Sequence, residues 1–300
     1  MIKVDKVSKR FDSIVAVDSV SMEIQEGSVF GMVGTNGAGK STMLRMMAGV
    51  FCPDSGSITM DDRPIYENPE VKKDIFFVSD DMYFLKNGTP KDVAEFYATV
   101  YPHFDKTRFL SLTGDLGLEA QRKISTFSKG MKRQVALLCG ICSGSKYLLC
   151  DEAFDGLDPV VRQLVKSLFA KEITERNLTP VLASHNLREL EDICDHVGLL
   201  HKGGVLLNKD LEELRCGIHK LQCVFQTEEF PEDLAQKLSI LKNEKRGKLY
   251  TITVRGELGE IEAAVGEKKP LFFEMLPLTL EEIFISETEV TGYDFKKLIF

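Results

Sequence analysis

The sequence predicts an α/β fold. It reads as a parallel-sheet core with an added antiparallel β region and a helical subdomain, followed by a small α+β appendage. Three observations predict this. The apolar run Val29-Phe30-Gly31-Met32-Val33 breaks into a stretch with glycines at 34, 37 and 39, then into the helix formers Met43 to Ala48. Two further apolar runs, Tyr147–Cys150 and Val181–Ala183, end abruptly in polar residues, as central parallel strands do, and a helical pattern lies between them. Beyond residue 220 the pattern changes to the alternation of half-exposed strands.

Each element follows from local pattern. Val4, Val7, Val15, Val17, Val20, Met22 and Ile24 alternate well enough to predict half-buried strands before the glycine-rich turn. Residues 85–145 read as mainly helical, with helices over Asp92–Tyr101 and Ser128–Cys142. Asp158-Pro159 is an N-cap followed by proline at the first helical position. The helix behind it carries Val161, Leu164, Val165, Leu168 and Phe169 on one face. In the appendage, Leu221–Phe225 and Leu249–Val254 read as strands, and Lys242-Asn243-Glu244-Lys245-Arg246-Gly247-Lys248 as a polar turn. The domain division is therefore expected at 220, giving 1–220 and 221–300. No internal repeat or low-complexity segment interrupts this plan.

Composition narrows the class. The chain has 300 residues, 43% hydrophobic, enough for a sizeable core. Its 38 basic and 46 acidic residues give a net charge of −8, which argues against broad electrostatic binding of nucleic acid. The segment 221–300 has 10 basic and 15 acidic residues, a net of −5, and offers no surface for anionic polymers or lipids. No apolar run approaches the ~20 residues that span a bilayer, and Met1-Ile2-Lys3-Val4-Asp5 lacks the apolar stretch of a signal peptide. A cytoplasmic chain without membrane insertion is expected. Seven scattered cysteines suit reduced thiols, and the Cys139/Cys142 pair falls in an apolar helical run where packing explains it.

The chemistry starts at Gly34-Thr35-Asn36-Gly37-Ala38-Gly39-Lys40-Ser41-Thr42. This is G-x-x-x-x-G-K-[ST] between a strand and a helix, the context in which backbone N–H groups and a helix N-terminus cradle phosphates. Lys40 would reach the β- and γ-phosphates, and Ser41 would ligate Mg²⁺. Asp151 and Glu152, at the end of a buried strand, would lie beside that loop. There Asp151 can hold Mg²⁺, and Glu152 can polarise a water for attack on the γ-phosphate.

With the phosphate loop come Phe127-Ser128-Lys129-Gly130-Met131, Leu149-Cys150-Asp151-Glu152, Asp155-Gly156-Leu157-Asp158 and Ser184-His185, in that order. Over residues 1–215 this series resembles the nucleotide-binding subunit of ATP-binding cassette (ABC) transporters, whose core is a P-loop NTPase fold. The resemblance implies that Phe11 stacks on adenine, that Val17 adds an apolar contact, and that Gly34, Asn36, Gly37, Ala38, Gly39, Lys40, Ser41 and Thr42 hold the phosphates. It implies that Ser128 and Gly130 cap the γ-phosphate of ATP on a second subunit, identical or paralogous. Asp155–Asp158 would cross that dimer interface, and His185 would contact the γ-phosphate.

The resemblance also implies ATP hydrolysis coupled to a separately encoded integral membrane permease, with the chain peripheral on the inner face of the membrane. Three departures stand out. Lys129 and Met131 replace the usual glycine and glutamine of the signature, a form similar to cassettes serving type-2 exporter permeases. After Ile75-Phe76-Phe77-Val78-Ser79, Asp80 stands where a glutamine is usual, which makes it a candidate third metal ligand with Ser41 and Asp151. Leu278–Phe284 resembles the end of the regulatory appendage of many exporters. The competing reading is a soluble ATPase of the same family acting on ribosome or DNA. Such proteins carry paired cassettes or long coiled coils, and neither pattern occurs in this sequence.

Overall fold

The computed structural model describes residues 1–226 and 229–290. These residues form two compact units whose seam falls between Asn208 and Lys209, ahead of the boundary expected at 220. The reason is local: a short helix at Leu211–Cys216 and a strand that starts at Ile218 already belong to the second unit.

The first unit opens with the antiparallel pair β1 (Ile2–Phe11) and β2 (Ile14–Ile24). Then come β3 (Phe30–Val33), α1 (Lys40–Met47), β4 (Ser55–Met60), β5 (Arg63–Pro64), the single turn α2 (Pro69–Lys72) and β6 (Ile75–Val78). The helical subdomain holds α3 (Pro90–Val100), α4 (Lys106–Asp115) and α5 (Lys129–Cys142). Its caps are encoded locally: Thr89 and Asp92 form a capping box, and the Ser128 hydroxyl accepts from Met131 N. There follow β7 (Tyr147–Asp151), α6 (Pro159–Arg176) capped by Asp158, β8 (Thr179–Ser184), the single turn α7 (Leu187–Leu190), β9 (His196–His201) and β10 (Gly204–Asp210).

Two sheets result. One has the order β2-β1-β4-β5, the other β10-β9-β3-β8-β7-β6. Parallel pairing runs from β9 through β3, β8 and β7 to β6. Helix α1 shares one core with both sheets: Met43, Leu44, Met46 and Met47 pack with Val4 and Val7 of the first and with Met32, Leu149 and Val181 of the second. Burying these side chains contributes ~1.5–3 kcal/mol each, so the start of α1 is fixed by packing on both sides. Cys139 and Cys142 are buried and unpaired on α5.

The second unit contains α8 (Leu211–Cys216), β11 (Ile218–Val224), α9 (Glu232–Lys237), β12 (Ser239–Arg246), β13 (Leu249–Arg255), α10 (Leu258–Gly266), β14 (Phe272–Leu276) and α11 (Leu280–Val290). Its sheet order is β12-β13-β11-β14, a split βαβ arrangement. Leu221, Cys223, Tyr250, Ile252 and Val254 form its core with Leu234, Ile261 and Val265 from the helices. The polar turn expected over 242–248 is mostly strand. Lys242 to Arg246 pair with β13 on the sheet edge, and the turn shrinks to Gly247-Lys248. Charged side chains suit an exposed edge, where they discourage pairing with another chain, and this masked the strand in the sequence.

Candidate functional site

Strand register brings the predicted groups to one end of the parallel sheet. Val33 pairs with Ser184, Asp151 with Ala183, and Val78 with Cys150. The phosphate loop, Asp151-Glu152, Ser184-His185 and Ser79-Asp80 therefore all leave neighbouring strands at their C-terminal ends, where open α/β sheets bind ligands.

A cavity of about 430 Å³ opens there. Its lining is Ile14, Ala16, residues 36–42, Asp80, Glu152, Asp155 and His185. Gly39 holds the loop closed onto β2. Its φ is 102°, and a Cβ there would lie 2.3 Å from Ala16 O. Lys40 is 5% exposed, and its ammonium donates to Gly34 O at 2.6 Å and Thr35 O at 3.2 Å. Burial lowers the Lys40 pKa, while the charges of Glu152 and Asp151 pull it back up. The ammonium is thus stored on loop carbonyls, 4.0 Å from Glu152 Oε1, at the positive end of α1.

Glu152 has a φ of 52°, left-handed for a residue with no preference for that region. The turn is pinned by Glu152 N donating to Ala183 O and Asp155 N donating to Glu152 O. Strain of this kind persists where surrounding structure enforces it, typically at functional sites. The turn aims Oε2 at His185 Nδ1, 3.0 Å away. A carboxylate only accepts, so Nδ1 is the donor in this contact.

Asp151 is 1% exposed, and among the described residues neither of its carboxylate oxygens has a hydrogen-bond partner. Burial pushes its pKa up, the neighbouring Ser41 opposes this, and the charge of Glu152 adds to the rise. A buried carboxylate with both oxygens unsatisfied, beside a hydroxyl, fits a hard cation. Among the described residues no group of three or more His, Cys, Asp or Glu forms a cage for a metal ion. That donor set suits Mg²⁺, which takes one or two carboxylates and completes its shell with phosphate oxygens and water.

Several sequence expectations are redrawn. Val17 is fully buried in the core and is not among the lining residues, whereas its strand neighbours Ala16 and Ile14 are. Adjacent strand residues face opposite sides, so a shift of one position exchanges core for site. Phe11 is 40% exposed but is not among the lining residues; its ring packs edge-on against Phe51 at 5.4 Å. Asp80 does line the cavity, yet its Oδ1 accepts from Arg133 Nη2 at 2.7 Å. Ser128 and Gly130 lie outside the lining, at the start of α5. Gly130 is required there: a Cβ would meet Gly156 O at 2.3 Å. Lys129 is tied to Asp155 by an ion pair of 2.5 Å.

Sequence reasoning missed Arg133. It is fully buried and donates to Asp151 O at 3.0 Å, Ser79 O at 3.1 Å and Asp80. A signal existed: Arg133 shares a helical stripe with buried Leu137 and Ile141, so a charge stood on a core face.

Comparison with known proteins places this arrangement. Residues 17–155 match the family described as ABC transporter. The ABC transporter ATP-binding protein YtrB of Bacillus subtilis (strain 168) is 31% identical over 96% of this chain and 98% of that protein. The chain belongs to the ABC transporter family. It is an ATP-binding, ATP-hydrolysing cassette of that family. A further relative is the bacitracin transport ATP-binding protein BcrA of Bacillus licheniformis, 29% identical over 72% of this chain and 71% of that protein. Among solved structures, cbiO1 from Clostridium perfringens, part of the ABC transporter complex cbiONQ, superposes with a TM-score of 0.61 at 25% identity. It covers 71% of this chain and 89% of that one. Among the described residues of this ABC cassette, no helix is long and apolar enough to cross a membrane.

Proposed function

We propose that this ABC cassette powers export through a separately encoded membrane permease, hydrolysing ATP in a dimer that sandwiches two nucleotides. The observation that carries the reading is the convergence of Lys40, Glu152 and His185 on one cavity, beside the unsatisfied Asp151 carboxylate. ATP enters with its phosphates on residues 34–42. Lys40 exchanges its loop carbonyls for phosphate oxygens, which relieves a buried ammonium held by neutral acceptors. Ser41 and Asp151 would hold Mg²⁺, with Asp80 in the same lining, and the ion would supply charge neutralisation to the triphosphate. Glu152 accepts the proton of the attacking water, and His185, oriented by Glu152, turns its imidazole to the γ-phosphate. Ser128 and Gly130 complete the site of the second subunit, identical or paralogous, from the N-terminus of α5.

Export is supported by the signature Ser128-Lys129-Gly130-Met131 and by the Leu278–Phe284 segment, both similar to exporter cassettes. The test is purification from native membranes, identification of the co-purifying membrane protein, and transport by the pair in inverted vesicles. ATP-dependent accumulation of substrate inside those vesicles is expected. Movement in the opposite direction overturns export, and co-purification with ribosomes or DNA alone overturns the transporter reading.

A further inference from the structure

Helix α5 begins with the residues proposed to cap the nucleotide of the second subunit, and its first turns are also tied to this chain's own cavity. Three ties are present. Gly130 packs on Gly156, so closely that no Cβ fits between them. Lys129 pairs with Asp155, which lines the cavity. The third tie is Arg133, wholly buried, whose guanidinium spans two strand ends. One nitrogen donates to Asp151 O and Ser79 O, and the other to the Asp80 carboxylate. A planar fork reaches several acceptors at fixed angles, which a lysine cannot do.

We propose that Arg133 is a positioning residue that couples this chain's cation site to the signature it presents to its partner. The inference rests on the functional reading above. Burying a guanidinium is costly, and hydrophobic packing alone would fill the space at least as well. Its acceptors are the backbone that aims Asp151 and the carboxylate of Asp80, both beside the cavity. Because the fork joins the Asp151 backbone and the Asp80 carboxylate to α5, any shift of those two groups on loading the site would be carried to Ser128 and Gly130. In reverse, a partner nucleotide pulling on the start of α5 tightens the cation site. Among the described residues, the phosphate loop 34–42 makes no hydrogen bond to Arg133, so the fork does not hold that loop directly.

The test uses the full chain with Glu152→Gln, so that ATP stays intact, and adds Arg133→Lys or Asp80→Asn. ATP affinity is measured in EDTA and in Mg²⁺, ATP-dependent dimerisation by analytical ultracentrifugation, and Tm as a control for folding. Both variants should bind ATP in EDTA as the parent does, because the phosphate loop is untouched. Arg133→Lys should lose ~10–100-fold of the Mg²⁺-dependent gain, the usual cost of removing a residue that orients a metal ligand. Both variants should fail to dimerise at ATP concentrations that saturate the monomer. Asp80→Asn keeps an oxygen for the cation and removes only the ion pair, so its failure to dimerise separates coupling from ligation.

An unchanged Mg²⁺ gain with unchanged dimerisation overturns the proposal. So does equal weakening in EDTA and Mg²⁺, which would mark a merely structural role. If Arg133→Lys does not fold, Asp80→Asn decides alone, since Asp80 is half exposed and its change empties no core. A parent that neither binds ATP nor dimerises would instead refute the underlying functional reading.

Discussion

Replacing Glu152 by glutamine keeps the shape of the side chain and removes its charge. Two consequences can be worked from the geometry. As proton acceptor for water, Glu152 is worth ~10²–10⁴ in rate, or about 3–5 kcal/mol of barrier. As a charge, Oε1 lies 4.0 Å from the Lys40 ammonium, an attraction of about 4 kcal/mol at an effective dielectric constant of 20. Losing that attraction strips Lys40 of the larger of its two anionic neighbours. The triphosphate then becomes its natural partner. Removing a carboxylate from the cavity also removes its repulsion of the phosphates. ATP affinity should therefore hold or increase while turnover falls ~10²–10⁴-fold. The assay pairs phosphate release at saturating ATP with equilibrium binding of ATP, and adds size exclusion to detect the trapped dimer. Turnover within threefold of the parent, at equal affinity, would refute the role of Glu152 as base.

Three other outcomes follow from particular contacts. Gly130→Ala puts a Cβ 2.3 Å from Gly156 O, so the Asp155–Asp158 loop must move; ATP binding by the monomer should survive while ATP-dependent dimerisation is lost, both read by ultracentrifugation with binding assays. Glu172, 1% exposed, has burial pushing its pKa up, but hydrogen bonds from Arg108 and Arg176 outweigh this and leave it lowered. A depressed carboxylate stabilises the fold above its unfolded pKa of about 4.3 and loses that contribution as pH falls through the folded value. Glu172→Gln should thus cost ~3 kcal/mol at pH 7, and urea titrations should find the gap from the parent closing on acidification; a gap constant from pH 7 to 3 refutes the pairing. A fragment ending at Asn208 should unfold cooperatively and bind ATP within threefold of the full chain, because the cavity lining lies wholly within that unit.

Most of the site was legible because its motifs sit where backbone geometry is forced. Gly39 can be nothing else at a φ of 102° against Ala16 O, and Asp158-Pro159 and Ser128 start helices through their own side chains. Local rules of this kind are written residue by residue. Placement was harder to read where a side chain's surroundings depend on a partner distant in sequence. Val17 and Ala16 are separated by strand parity, and β1–β2 register shifts between Val7, Lys9 and Arg10 change which residue reaches the cavity. No pattern in β2 alone reveals that shift. The edge strand β12 was hidden for the opposite reason: its composition answers to exposure, and only pairing with β13 makes it a strand.

Asp80 shows how far identity at one position can carry an argument. As a residue type it is a good Mg²⁺ ligand, and its loop leaves β6 beside Asp151, as the register of Val78 with Cys150 requires. The carboxylate is nevertheless claimed from behind by a buried guanidinium 53 residues away in sequence. An amide at this place could ligate a cation but could not form an ion pair with Arg133. The acid and the arginine therefore make physical sense together: a charge buried at 0% exposure needs an anion, and Asp80 is the carboxylate that meets it. Substituting either one changes what the other is for. The acid that departs from the family's usual glutamine is thus explained by a residue on the signature helix as much as by the metal.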